Sequence, residues 1–269
     1  PMPDEALVLS RRDGRTATLI LNRPAKKNAM SDEMLREFNV LLEQAIGDDE
    51  IRSIVVTGAG DCFTSGRDRR DVGSKGSPPV ALEDLSLDRS VELFTNTLRR
   101  LLTSPKPTIA AVRGFAFGGG QAMSLACDFL IAERDARFAN VEIVYGFPAA
   151  LNSVLLMRHL GRRRALEIAM IGDVHSAESW HSMGLVNRLA EAGQLDSEVH
   201  AFTGVLNERE SWAVQRTKAL MLAAEDSSLA DGMTLGGQLN QILRMNAERS
   251  RAYQDGGQAY SQIVKALGP

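Results

Sequence analysis

The stretch GFAFGGGQAMSLACD, residues 114–128, limits the possible folds more than any other part of the chain. Gly118, Gly119 and Gly120 end a β-like run and open a helix-like one. Glycine weakens strands and helices alike, so something at this junction requires bare backbone. One reading is a tight turn with close helix–sheet packing. The other is chemical. The first N–H groups of a helix lack internal partners and lie at the positive end of its dipole, where anions and developing negative charge are stabilised. The dinucleotide spacing G-x-G-x-x-G is absent, so that use of such a turn does not apply.

The surrounding chain alternates between strand-like and helix-like segments. TATLIL (16–21) is apolar and β-branched, as buried strands are, and RSIVVTG (52–58), PTIAAVRG (107–114) and DFLIAE (128–133) read as further strands. Ser31 is placed to cap a helix whose Met34, Leu35, Phe38, Leu41, Leu42 and Ile46 share one apolar face. This order predicts right-handed βαβ-type units around a largely parallel sheet. The last third reads as helical. RRALEIAMIG (163–172) is amphipathic, Ser176 opens a short helix closed by Gly184, and long helices are expected over 208–225 and 236–254. The segment 73–84 is rich in Gly, Pro and Ser and is expected to be a mobile loop.

A second glycine-bearing turn, TGAGDCFTSGRD (57–68), also follows a strand and exposes backbone at Ser65-Gly66. Two such turns could each aim one N–H at a single oxygen. That is an oxyanion hole, in which one donor is worth about 3–4 kcal/mol.

Four segments, LNRPAKKNAMSDEM, IVVTGAGDCFTSGRD, PTIAAVRGFAFGGGQAMSLACDFLIAERDARFANVEIVYGFP and GDVHSAESWHSMGLVNRL, occur in an order that resembles the crotonase (enoyl-CoA hydratase/isomerase) superfamily. The resemblance runs from about Val8 to the C-terminal helices. It implies an α/β fold, a crotonase-like spiral of ββα units over residues 1–195, with a helical region over 196–269 that forms a homotrimer or dimer of trimers. It also implies a substrate that is an acyl-CoA thioester, with coenzyme A as part of that substrate and no separate cofactor.

On the matching positions, the resemblance makes the main-chain N–H groups of Ser65 and Gly119 the two oxyanion donors. Substrate contacts are implied for Lys26 and Lys27, for the turn Ser65, Gly66, Arg67 and Asp68, and for Gly118, Gly119, Phe147 and Pro148. Lys26 and Lys27 would face the CoA phosphates. Arg67, Arg69 and Arg70 could add charge steering, and Lys265 falls where members place a CoA-contacting basic residue. Asp68, ending a turn, reads as a backbone-capping residue. Hydratases of the family generally carry two glutamates. The later one is present as Glu142; the position of the earlier one is Ala122.

Adding water uses one group to activate it and another to handle the α-proton, whereas a 1,3-proton shift can run on a single base. One glutamate opposite an alanine therefore points to double-bond isomerisation. Hydration stays open if Asp84, Asp88 or Glu92 enters the site, and a non-catalytic thioester-binding or RNA-associated protein is the reading from another class. The apolar neighbours of Glu142, Val141 and Ile143, are expected to raise its pKa. After it, GFPAALNS puts Ala149 and Ala150 where the family often has a glycine-rich turn, which bears on the acyl pocket.

The net charge of −3 offers no basic footprint for nucleic acid. The four histidines, His159, His175, His181 and His200, form no metal-binding i,i+4 pair, so no metal is expected. Cys62 and Cys127 make neither a disulfide framework nor a zinc site. With an acidic opening segment unlike a secretory signal, they suggest a reducing cytoplasm.

Overall fold

The computed structural model describes residues 6–68, 70 and 89–246. The expectations for 73–84, Arg69, Asp84, Asp88 and Lys265 lie outside these residues, as does the end of the expected 236–254 helix.

Five strands of the larger sheet are β1 (Val8–Asp13), β2 (Thr16–Leu21), β3 (Ser53–Gly58), β4 (Thr108–Val112) and β6 (Phe129–Glu133). The last is β9 (Arg188–Ala190), and the order is β1-β2-β3-β4-β6-β9. Only the β1–β2 pair is antiparallel; every later pair is parallel. The continuous apolar character of β2, β3 and β4 follows from burial on both faces. On one face, Leu19, Leu21, Ile54, Val56 and Val112 pack in the main core. With them are Met34, Leu35 and Phe38 of α1 (Asp32–Gly47) and Phe94, Leu98 and Leu101 of α2 (Arg89–Thr103). On the other face, Val55, Ile109 and Ile131 meet Leu195 and Val199 of α7 (Leu195–Asn207).

A second, three-stranded sheet holds β5 (Phe115–Phe117), β7 (Arg137–Ala139) and β8 (His175–Ser176), in that order. β4 leads through Gly114 into β5 and then α3 (Gly119–Leu125); β6 leads into β7 and later α4 (Ala150–Leu160). Earlier in the chain the second strand shrinks to single bridges, Met30 with Arg67 and Thr64 with Ala116. This is the expected ββα repeat. It brings the ends of β3 and β4 together, because each strand crosses into the second sheet beside its neighbour.

α5 (Arg162–Ile171) and α6 (Ala177–Ser182) complete the helices before α7. The compact unit ends at Glu208. A second unit begins at Arg209 and contains α8 (Ser211–Glu225) and α9 (Leu229–Asn246), which pack on each other.

Candidate active site

The turn after β3 is held from below by Asn28, whose side chain is fully buried. Its Nδ2 donates to Ala59 O at 2.8 Å and Cys62 O at 2.9 Å, while Asn28 O accepts from Thr64 Oγ1 at 2.7 Å. Within Thr64–Asp68 nearly every main-chain N–H has a partner. Thr64 donates to Phe115 O and Asp68 to Met30 O, and Gly66 donates to Thr64 Oγ1 at 3.0 Å.

Ser65 is a correction to the sequence expectation. Its N–H donates to Lys27 O at 2.9 Å and is turned into the neighbouring loop. The N–H that finds no acceptor among the described residues is that of Arg67. The physical reason is the bridge to Met30, which is made by Gly66 O and Asp68 N, so the intervening Arg67 amide points the other way.

Each of the three glycines has its own reason. Gly118 has φ +52°, and a Cβ there would lie 3.1 Å from Glu142 Oε1. A Cβ on Gly119 would lie 3.0 Å from Arg67 Cγ and 3.3 Å from Arg67 N, and one on Gly120 would lie 2.5 Å from Thr64 Cγ2. Side chains would force the two turns apart. Gly118 N–H donates to Ala139 O, whereas Gly119 N–H has no acceptor among the described residues. The free amides of Arg67 and Gly119 therefore belong to directly apposed backbone segments.

Glu142 follows β7 and begins a short 3-10 turn over Ile143–Tyr145. Its Oε1 accepts from Asn152 Nδ2 at 3.3 Å, and its Oε2 is buried without a hydrogen-bond partner. Burial pushes its carboxyl up, against smaller opposing effects of its own peptide N–H and of Asn152. Of the carboxylates weighed as a second acid–base group, Glu92 is on an exposed part of α2. Ala122 is buried on α3.

The remaining predicted contacts divide. Lys26 is exposed in a 3-10 turn over Pro24–Lys26. Lys27 Nζ is paired with Asp61 at 2.6 Å. Asp68 is gripped by Arg70 at 2.9 Å and Arg23 at 3.1 Å, and the Arg70 hydrogen bond, with these neighbours, holds its carboxyl well below the usual range. Phe147 and Pro148 are exposed beside Glu142, and Phe147 N–H donates to Glu142 O. Arg67 sends its guanidinium away from the glycines, to Met30 O at 3.0 Å, Asp32 Oδ1 at 2.5 Å and Ser90 Oγ at 2.6 Å. The sequence reading missed Asp32, Ser90 and Asn152. A lone Asn in the apolar run of α4 was the one available signal.

A sequence model described as enoyl-CoA hydratase/isomerase matches residues 12–263. The chain belongs to this family. Its members act on acyl-CoA thioesters. The chain is 32% identical over 255 residues to the 1,2-epoxyphenylacetyl-CoA isomerase of Escherichia coli, covering 94% of each. A crystal structure of an enoyl-CoA hydratase from Mycobacterium smegmatis superposes with TM-score 0.85 at 28% identity, covering 96% of this chain and 97% of that one. One of an enoyl-CoA hydratase from Polaromonas sp. JS666 gives 0.81 at 31% identity, over 96% and 97%. The crotonase-like fold read from the four motifs is thus the fold of the chain.

No group of three or more His, Cys, Asp or Glu residues able to hold a metal occurs among the described residues. No described helix is long and apolar enough to cross a membrane.

Proposed function

We propose that the chain isomerises enoyl-CoA thioesters. The thioester oxygen is held by the main-chain N–H groups of Arg67 and Gly119, and Glu142 carries the proton. The observation behind this reading is the position of Glu142. Its carboxylate lies against Gly118, one residue from the free Gly119 amide, and Ala122 offers no second acid. The carboxylate takes a proton from C2 of a 3-enoyl thioester. The C–H pair moves into the chain of double bonds and charge develops on the thioester oxygen, where two donors stabilise it. The protonated Glu142 then returns the proton at C4, leaving the 2-enoyl thioester. A raised pKa suits a group that must act as base and then as acid.

Lys26 remains the lysine proposed for the CoA phosphates, since Lys27 is committed to Asp61. Val144, Tyr145, Met170, Ile171 and Val174 form an exposed apolar surface beside the site. It supports assembly of several copies, in line with the trimer or dimer of trimers proposed for the family.

Hydration is the second reading, favoured by the two solved neighbours, both named enoyl-CoA hydratases. Incubation with 3-hexenoyl-CoA and with crotonyl-CoA separates the two. Double-bond migration is expected; water addition without migration overturns the isomerase reading. Glu142→Gln is expected to abolish turnover while thioester binding persists. Turnover that survives in that variant removes Glu142 from the chemistry.

A further inference from the structure

Asn152 is the third residue of α4 and is 2% exposed. Its neighbours on the buried face of that helix are Leu155 and Leu156. A buried amide in such a place is unfavourable unless its hydrogen bonds are made, and since Oδ1 is buried without a partner among the described residues it is the NH2 end that makes them. Asn152 Nδ2 faces three acceptors: Gly118 O at 3.0 Å, Asn140 Oδ1 at 3.1 Å and Glu142 Oε1 at 3.3 Å. Three acceptors fix which end of the side chain points there, and two protons must serve all three. Asn140 is fully buried and anchored in turn, its Nδ2 donating to Ala169 O of α5 at 3.0 Å.

Gly118 O is not an orphan carbonyl, because Ala122 N–H already reaches it at 3.1 Å. The Asn152 bond is an addition. Gly118 O is also the far end of the peptide unit whose N–H is the free amide of Gly119. Hydrogen bonding at a peptide oxygen polarises the whole unit and strengthens its N–H as a donor. One NH2 group therefore touches both halves of the proposed machinery.

We propose that Asn152 is a positioning residue that couples the two halves, orienting the Gly118–Gly119 peptide and the Glu142 carboxylate from a single amide braced by Asn140. The inference rests on the reading of Arg67, Gly119 and Glu142 given above. Among the described residues no charged side chain acts on Glu142; burial, its own peptide N–H and Asn152 are what set its protonation. Removing the Asn152 donor takes away a bond that favours the ionised carboxylate, so the acid limb of activity moves to higher pH. It also frees both reacting groups to drift, a loss that falls on kcat rather than on thioester binding.

The test uses exchange of the C2 protons of butyryl-CoA in D2O, followed by NMR. The reaction breaks the C2–H bond, passes the proton to Glu142 and returns a deuteron, with no net chemistry. Wild type should exchange and Glu142→Gln should not. If either arm fails, the reading of the site fails, and the inference with it. If both hold, Asn152→Leu, which matches the volume but lacks the donor, should lower kcat on the order of 10- to 100-fold. KM should change little and the acid limb should rise. Asn152→Ser, small enough to fold should leucine not be tolerated and still a donor, should recover part of the rate and of the pH profile. An unmoved acid limb in both variants overturns the inference, as does a rate loss that merely follows a fall in Tm.

Discussion

Arg67 closes on Asp32 with Nη2 and Oδ1 2.5 Å apart, and the same nitrogen reaches Ser90 Oγ at 2.6 Å. The turn that carries the free Arg67 amide is thereby pinned by its own side chain to the starts of α1 and α2. Arg67 and Asp32 side chains are only 12% and 22% exposed. Burial pushes the Asp32 carboxyl up, but the hydrogen bonds from Arg67 and Ser90, with the nearby positive charge, outweigh it and hold it below the usual value. A group depressed in the folded state contributes stability above its unfolded pKa and loses it as pH falls through the folded one. Asp32→Ala should therefore cost about 1–3 kcal/mol at neutral pH, within the range of a hydrogen bond to a charged group. Urea unfolding across pH should show the penalty shrinking in acid; a penalty that stays constant would show that the ion pair is not its source.

Gly118→Ala tests the approach of the carboxylate to the glycines. The added Cβ meets Glu142 Oε1 at 3.1 Å and Oε2 at 3.3 Å, at a residue with φ +52°. With ψ −119° the residue lies outside even the left-handed helical basin, in backbone where a side chain costs on the order of 1–3 kcal/mol. The carboxylate must also give way, so C2 exchange should fall more steeply than Tm. Full exchange in a folded Gly118→Ala protein would mean that the carboxylate works from another position.

Much of the frame was legible because the signals are local. TATLIL is strand β2 to the residue, since its β-branched and apolar side chains are buried on both faces. Ser31 caps α1 by accepting from Met34 N–H at 3.2 Å, and Ser176 caps α6 through Ser179 N–H at 3.1 Å. The strands β5, β7, β8 and β9 are two or three residues long, too short to show a period. The error at Ser65 is of another kind. Which amide of a turn faces a cleft is set by the acceptors around it. Here they are Lys27 O for Ser65 and the Met30 bridge for its neighbours, both distant in sequence. Asn152 stands out as a lone amide in an apolar run, but its role was hidden for the same reason: its partners come from β5–α3 and from beyond β7.

Lys106 gives a structural prediction away from the site. It is 5% exposed, and its Nζ donates to Ala45 O at 2.9 Å and Asp48 O at 2.5 Å, where α1 ends. A cation at a helix C-terminus satisfies a carbonyl without an internal partner, here Ala45 O, and adds to Asp48 O, which also accepts from Ile51 N–H at 3.0 Å. Lys106→Met keeps the stem's packing and loses the charge, and should destabilise by about 1–3 kcal/mol in urea unfolding. C2 exchange by the folded variant should match wild type. Unchanged stability would mean that water replaces the ammonium at no cost.

Glu142→Gln should do two opposite things. It should abolish C2 exchange, and it should raise Tm at neutral pH. Glu142 Oε2 is buried without a partner, and burial holds the carboxyl above its ordinary value. The folded protein therefore binds that proton more tightly than the unfolded chain does. As pH rises through the unfolded pKa the folded state must either keep the proton or bury a charge, and stability falls until the folded pKa is passed. Above that point the charge remains and the deficit is constant. Glutamine removes it, so the Tm gain should grow as pH rises above the unfolded pKa and vanish in acid, where Glu142 is protonated in both states. Thermal unfolding of both proteins across that range checks the sign. A variant less stable than wild type at neutral pH would mean that the ionised carboxylate is well solvated or paired, and burial would then no longer account for its raised pKa.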